Sequence, residues 1–353
     1  MPVLDLNDKL QVEKYKKFVD NRRKTSLLQS VEWKQLKKDW KQEIVYLEQG
    51  SEIVAGLTLL IRKMPLLNTH IMYAPRGPVA DVSDIEMVKK LIEEAEPIRK
   101  KYNACVLRFD PEIPMNKEIQ EMYEKEGFVV RNEGVDMVDI IQPRFNMILN
   151  MEGKDEETLM KNFAEKTRYN IRLSGRKGVT VRHSRSIEDL KTFCSIQEIT
   201  GKRDGFLIRP NSYFEKMLEI YDENVMRIYL AEHEGDVLSA ALAMNYGGKM
   251  WYMYGASSNV KRNLMPNYAM QWAMIKWGIE QGCSEYDFGG VYKININDGL
   301  YKFKSGFCKS DGETAFIGEI DKVYNKFNYF VFVKMIPIFK KVRMFFMKTF
   351  KKV

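Results

Sequence analysis

The sequence predicts an α/β (α+β) protein of two domains related by duplication, each a mixed sheet flanked by helices. Three observations carry this expectation. The chain has 353 residues, enough for two domains of ordinary size, each with its own core. One order of hydrophobic periods (hairpin, strand, amphipathic helix, buried strand) occurs twice, the second copy beginning about 180 residues after the first. Each copy ends in an Asp just past a buried apolar run, Asp110 in the first and Asp287 in the second.

In the first copy, residues 44 to 61, IVYLEQGSEIVAGLTLLI, read as a strand, a turn at Gln49-Gly50 and a second strand. HIMYAPRGPV follows as a strand running into a Pro/Gly loop. SDIEMVKKLIEEAEPIRKKY has the apolar spacing of an amphipathic helix and opens at Ser83 or Asp84, either of which can cap it. ACVLRF is a buried strand, stopped at Asp110-Pro111. In the second copy RIYLAEHEGDVLSAALAMNY is the hairpin, KMWYMYGAS the strand, PNYAMQWAMIKWGIEQG the helix and SEYDFGG the last strand. Aligned on this order, Tyr46 falls with Tyr229, Tyr73 with Tyr252 or Tyr254, and Asp110 with Asp287. The expected domains are residues 1–145 with 318–353, and residues 146–317.

Composition bounds the function. With 45% apolar and 29% charged residues the chain is globular, with no low-complexity tract. The N-terminus mixes Asp, Glu and Lys from the start and lacks the apolar core of a signal peptide, so a cytoplasmic protein is expected. Cys105, Cys194, Cys283 and Cys308 stand far apart without a C-x-x-C pair, and His70, His183 and His233 are isolated. Neither a zinc site nor a disulfide framework is signalled, and the cysteines read as small buried hydrophobes. Residues 322 to 353 hold nine Lys or Arg and no Asp or Glu, so the net charge of +8 belongs to this tail. NYFVFVKMIPIF within it is too short to span a bilayer. From Ile338 on, Ile338, Val342, Phe346, Thr349 and Val353 fall on one helical side and Lys340, Lys341, Lys348, Lys351 and Lys352 on the other. That pattern suits a helix lying on the anionic inner face of the membrane, or a terminal helix docked on the first domain with a basic outer face.

The hairpin-strand-helix-strand order resembles the core of GNAT acyltransferases, which implies acyl transfer to an amine. GNAT enzymes that use acetyl-CoA hold its pyrophosphate on a glycine-containing loop at a helix N-terminus. SDIEMVK and RNLMPNYAM, at the two corresponding places, contain no glycine there, so coenzyme A is a poor donor and no cofactor is expected. DFGGVYK lacks the G-x-x-x-x-G-K-[ST] and following helix of a P-loop, and no other kinase element accompanies its DFG. GLYKFKSGF alternates; if extended, it points Leu300, Lys302 and Lys304 one way and Tyr301, Phe303 and Ser305 the other.

LQSVEW (28 to 33), LRFDPEI (107 to 113), EKTRYNIRLSGRKGV (165 to 179), KRDGFLIRPNSYF (202 to 214), MWYMYGAS (250 to 257) and DFGGV with GLYKFKSGF occur in one order along nearly the whole chain. In this the sequence resembles the Fem-type aminoacyltransferases of peptidoglycan bridge synthesis, in the short FemX-like form without a coiled-coil arm. The resemblance implies two facing GNAT-like domains. It implies aminoacyl-tRNA as donor and, as acceptor, the stem-peptide side-chain amine of lipid II or UDP-MurNAc-pentapeptide.

It also implies roles. Aminolysis of an ester passes through an oxyanion that needs a fixed positive donor. Lys304, otherwise a solvated strand lysine, matches the family's essential lysine in F-K-x-G-F, and Phe303 beside it is placed with the substrate. The acceptor ammonium must lose a proton, and Asp110, otherwise a turn-forming Asp before proline, matches the family's acidic position. Arg209 and Lys37 fall where the diphosphate ligands do, with Lys34 the alternative to Lys37, and Tyr213 and Tyr254 are hydrogen-bonding walls. Arg209 and Tyr213 share a face only if the segment through Pro210 is helical. Arg168, Arg172 and Arg176, at i, i+4 and i+8, form a basic stripe that suits the tRNA acceptor arm, or a solvated face paired with neighbouring acids. No metal is expected.

Overall fold

The computed structural model describes residues 3–65, 67–132, 140–291, 294–295, 297–336 and 338. Contacts divide the chain into two units, residues 1–22, 26–144 and 316–353 in the first and residues 23–25 and 145–315 in the second.

The first unit holds helix α1 (Lys9–Asn21), the hairpin β1 (Lys41–Gln49) and β2 (Glu52–Lys63), β3 (His70–Ala74), α2 (Ile85–Glu94), α3 (Glu96–Tyr102), β4 (Ala104–Phe109), α4 (Lys117–Lys125) and β5 (Val129–Arg131). The single helix expected over 83 to 102 is two. Asp84 caps α2 through a bond from the Met87 N–H, and Pro97 near the start of α3 interrupts the ladder because it has no N–H to give. The sheet order is β1-β2-β3-β4-β13-β5, where β13 (Glu319–Val323) comes from the last part of the chain, with β3 and β4 parallel and α2 and α3 as their crossover. Val88, Leu91, Ile92 and Ile98 on these helices pack on Leu59, Ile61, Met72 and Leu107 of the sheet.

The second unit holds β6 (Phe145–Asn150), α5 (Glu156–Asn162), α6 (Glu165–Arg176), β7 (Thr180–Ser184), α7 (Ile187–Asp204), α8 (Asn211–Ile220), β8 (Met226–His233), β9 (Asp236–Tyr246), β10 (Lys249–Ser257), α9 (Pro266–Glu280), β11 (Glu285–Gly290), α10 (Gly299–Ser305) and β12 (Glu313–Ala315). Its sheet runs β12-β6-β11-β10-β9-β8-β7, with β10 and β11 parallel across α9. Met270, Met274 and Trp277 of α9 share a core with Leu149, Ala241, Tyr286 and Phe288. Both copies of the repeat thus fold as the pattern requires.

The alignment of the two aspartates is corrected by the strand register. A left-handed residue follows the helix in each copy, Asn103 (φ 47°) and Gly282 (φ 66°). Five residues on from these stand Arg108 and Asp287, paired in register with Tyr73 and Trp251. Asp287 thus lies in the last β10–β11 pair, whereas Asp110 lies one residue past the last β3–β4 pair, Ala74↔Phe109, so the two aspartates hold different places on their strands.

The chain returns to the first unit as β13 (Glu319–Val323) and α11 (Lys326–Phe330), which continues helically to Met335. Arg108 donates to the two carboxylate oxygens of Asp321 at 2.7 and 2.6 Å and faces Glu319 at 2.7 Å, and Arg131 also bonds Glu319, all four buried. The Tyr329 hydroxyl donates to Asp321 at 2.8 Å, and the Arg108 guanidinium lies 4.8 Å from the Phe332 ring centre. Tyr329, Phe332 and Ile336 pack against Met64, Ile71, Cys105 and Val106, so the start of the basic tail is docked on the first unit. Residues 339–353, which carry most of the amphipathic pattern, lie outside the described residues. No helix among the described residues is long and apolar enough to cross a membrane, and none of their His, Cys, Asp and Glu side chains group to hold a metal. All four cysteines are buried and free, as the sequence suggests.

Candidate active site

β10 and β11 pair over three residues, Lys249↔Glu285 to Trp251↔Asp287, and β10 then runs on to Ser257 along β9. Lys304 sits where the two part. GLYKFKSGF is helical there, contrary to the extended reading. Asp298 caps it by accepting from the Tyr301 N–H at 2.8 Å, and no β-branched residue opposes the turn. Lys302 and Lys304 therefore do not share a face. Leu300 and Lys302 are exposed, while Lys304, 5% exposed, is turned inward beside Phe303 and Phe307.

The Lys304 Nζ donates to the Gly290 carbonyl at 2.8 Å. Burial pulls its ammonium down from 10.5 to about 8, against the attraction of Asp287. Asp287 is itself buried and accepts from the Gly289 N–H at 2.7 Å and from Asn146 Nδ2 at 3.2 and 3.1 Å. Gly289 has φ 77°, a left-handed conformation that favours glycine and turns the chain beside the Lys304 Nζ. Phe303 packs on Tyr268 with ring centres 5.0 Å apart. With Ser257, Ser258, Arg262 and Asn267 these two rings line a cavity of about 160 Å³ at the start of α9.

Pro210 caps α8, so Arg209 precedes the helix. It nevertheless reaches Tyr213, its guanidinium lying 5.4 Å from the ring centre. The β10 register shifts between Tyr252 and Tyr254, and the Tyr254 hydroxyl donates to that of Tyr213 at 3.2 Å. Arg209, Tyr213 and Tyr254 form one cluster. On α6, Arg172 and Arg176 are exposed, whereas Arg168 is half-buried and donates to the Phe163 and Lys161 carbonyls at the end of α5, at 2.5 and 3.2 Å.

In the first unit, Asp110 is buried and accepts from the Tyr73 hydroxyl at 2.7 Å and the Arg76 N–H at 2.6 Å. Burial raises its carboxyl from 3.8 to about 7 although Arg76 and these hydrogen bonds favour the charged form. Arg76 is left-handed (φ 54°), pairs with Glu112 at 3.4 Å and donates to the Pro143 carbonyl at 2.8 Å. The Lys37 ammonium lies 4.8 Å from the centre of the buried Trp33 ring. Gln29 of LQSVEW is a clamp: its amide nitrogen donates to the Pro75 carbonyl at 2.8 Å and its oxygen accepts from the Thr58 N–H at 2.9 Å.

Lys304 and Phe303 thus adjoin, and so do Arg209, Tyr213 and Tyr254, all in the second unit, while Asp110 and Lys37 belong to the first. Sequence reasoning missed Asn146, which comes from a strand that no motif marks. Asp287 is aligned in the sequence but given no role there, and its contact with Asn146 on β6 is one that no local pattern marks.

The FemAB family model matches residues 10–236 and 231–335. The UDP-N-acetylmuramoylpentapeptide-lysine N(6)-alanyltransferase of Weissella viridescens is 37% identical over 340 residues, covering 95% of this chain and 100% of that protein. The lipid II:glycine glycyltransferase of Staphylococcus aureus (strain MRSA252) is 29% identical over 402 aligned positions, covering 92% of this chain and 94% of the other. Those positions outnumber the 353 residues of this chain, so the glycyltransferase has segments that it lacks. The crystal structure of FemX superposes with a TM-score of 0.84 at 27% identity, over 93% of this chain and 99% of that one. The protein is a member of the FemAB family, in its short, FemX-like form.

Proposed function

We propose that the protein transfers an amino acid from aminoacyl-tRNA to the stem-peptide side-chain amine of a peptidoglycan precursor, building the interpeptide bridge. Lys304 carries this reading, as a buried ammonium where β10 and β11 part, in a family whose relatives are named for such transfers.

The amine attacks the ester carbonyl, the new C–N bond forms, and the carbonyl oxygen takes the charge until the ester C–O bond breaks and the ribose hydroxyl leaves with a proton. Lys304 stabilises that oxyanion, its low-dielectric surroundings strengthening the attraction. Asp110 is the proton acceptor for the incoming ammonium. Tyr73 and Arg76 each occupy one lone pair of its two oxygens, and a carboxylate has about four. Phe303 packs beside the reacting ester. Arg209 and Lys37 bind the precursor diphosphate, and Tyr213 and Tyr254 wall the Arg209 side of it. Arg172 and Arg176 face the tRNA phosphates, while Arg168 is committed to the end of α5. The basic tail holds the enzyme on the anionic inner membrane surface.

The test is transfer of labelled amino acids from a charged tRNA pool to lipid II and, separately, to UDP-MurNAc-pentapeptide. Label in either acceptor supports the reading. No label in either, from folded enzyme that instead acylates amines with a coenzyme A thioester, refutes it in favour of a GNAT-like N-acyltransferase. Arg209→Ala is expected to raise KM for the acceptor about tenfold with kcat little changed, since a charge-assisted diphosphate contact serves ground and transition states alike. Initial rates at varied acceptor concentration check this.

A further inference from the structure

Phe206, Leu207 and Ile208, between α7 and α8, are consecutive and exposed, Leu207 at 98%. Leu207 stands fully in water with Phe206 and Ile208 partly exposed on either side, a contiguous apolar tip of the kind that marks an interaction site. The segment is braced rather than loose. Gly205 ends α7 in the left-handed region (φ 73°), and Arg203 donates to the Ser257 carbonyl and to Asn259 Oδ1, each at 3.0 Å. Ile208 packs so close to Gly201 that a Cβ there would lie 2.7 Å from its methyl. Arg209 is set against Tyr213. Leu207 is thereby held outward between two fixed ends.

The surroundings say what it meets. Lys202, Arg203 and Arg209 flank the tip, and Asp204, the one acid among residues 201–210, is paired with Arg203 at 2.8 Å. An apolar tip within a basic collar is the composition of a segment that enters the interface of an anionic bilayer. Arg209 is also the proposed diphosphate ligand, two residues from Leu207.

We infer that this loop dips into the membrane surface and that the enzyme takes its acceptor in the lipid-linked form. With Arg209 on the diphosphate at headgroup depth, Leu207 enters the hydrocarbon beside the polyprenyl chain that the diphosphate carries. The inference rests on the aminoacyl-transfer reading and on the role given to Arg209.

The test compares wild type with Leu207→Asp on two acceptors, the lipid-linked precursor in vesicles of phosphatidylglycerol and phosphatidylcholine and the water-soluble nucleotide-linked precursor. Leu207→Asp is expected to lower transfer to the vesicle-borne acceptor about tenfold and to leave the soluble one within about twofold. In parallel, the Leu207→Cys variant carries an NBD label, which the four buried native cysteines do not compete for, and its emission is expected to shift to the blue on acceptor-free vesicles. Unchanged rates on both acceptors with unshifted emission overturn the inference and leave the tip to a protein partner. Equal loss on both acceptors overturns it as well, by assigning Leu207 to the fold or the site itself. Absence of any transfer by wild type defeats the aminoacyl-transfer reading instead, and the NBD emission still decides whether the loop meets lipid.

Discussion

Lys304→Met lowers kcat by about 10²–10³, the loss that follows removal of a preorganised oxyanion donor, and leaves the protein no less stable than wild type. The two halves of this result have one cause. The ammonium is buried, and its pKa of about 8 already includes the attraction of Asp287, so the fold on balance disfavours the charge. A methionine of similar length keeps the packing and relieves that cost, and Asp287 keeps its hydrogen bonds from the Gly289 N–H and Asn146. The sign of the pH dependence follows. The unfolded lysine titrates near 10.5 and the folded one near 8, so the penalty is full below about 8 and fades as pH rises to 10.5. Wild type therefore gains stability relative to Lys304→Met across that window, measured by denaturant titration, while its kcat falls as the ammonium is lost above pH 8. A variant that is both inactive and unfolded would make Lys304 a structural residue.

Asp110→Asn lowers kcat by about 10²-fold, the contribution of a positioned proton acceptor, with the unit still folded. Asparagine has the same shape and still accepts the Arg76 N–H at one oxygen, but it takes no proton. Stability separates this role from a structural one. The raised carboxyl holds its proton to about pH 7 in the folded state against 3.8 in the unfolded chain, so its contribution is full below 3.8 and is lost as pH climbs to about 7. Asp110→Asn is expected to flatten that part of the melting profile between pH 4 and about 7. Flattening with unchanged kcat would make Asp110 only the clamp that holds Tyr73 and the left-handed Arg76.

The repeat was legible because hairpins, crossover helices and buried strands each leave a period in the residues, and β3‖β4 and β10‖β11 follow from it. The lysine motif was legible as a motif but not as a shape. Lys-Phe-Lys has period two, the helix over it has seven residues, and what decides between the forms is the packing of Phe303 on Tyr268 and Phe307. The burial of Lys304 depends on Gly290, fourteen residues away, and the setting of Asp287 on Asn146, 141 residues away. No local pattern encodes either distance. The pairing of Asp110 with Asp287 failed for a simpler reason: Asp287 sits in the last β10–β11 pair while Asp110 falls one residue past the last β3–β4 pair, and only hydrogen-bond register exposes that.

β13 lies between β4 and β5, yet it is made after every residue of the second unit. On the ribosome the first unit emerges with a gap in its sheet and with Arg108 and Arg131 lacking the carboxylates of Glu319 and Asp321. The second unit, residues 145–315 with a short stretch at 23–25, has its strands in hand before β13 is translated. Every strand of the second unit precedes β13 in the chain, while the sheet of the first unit closes only with β13, so the half of the protein that is begun first is finished last.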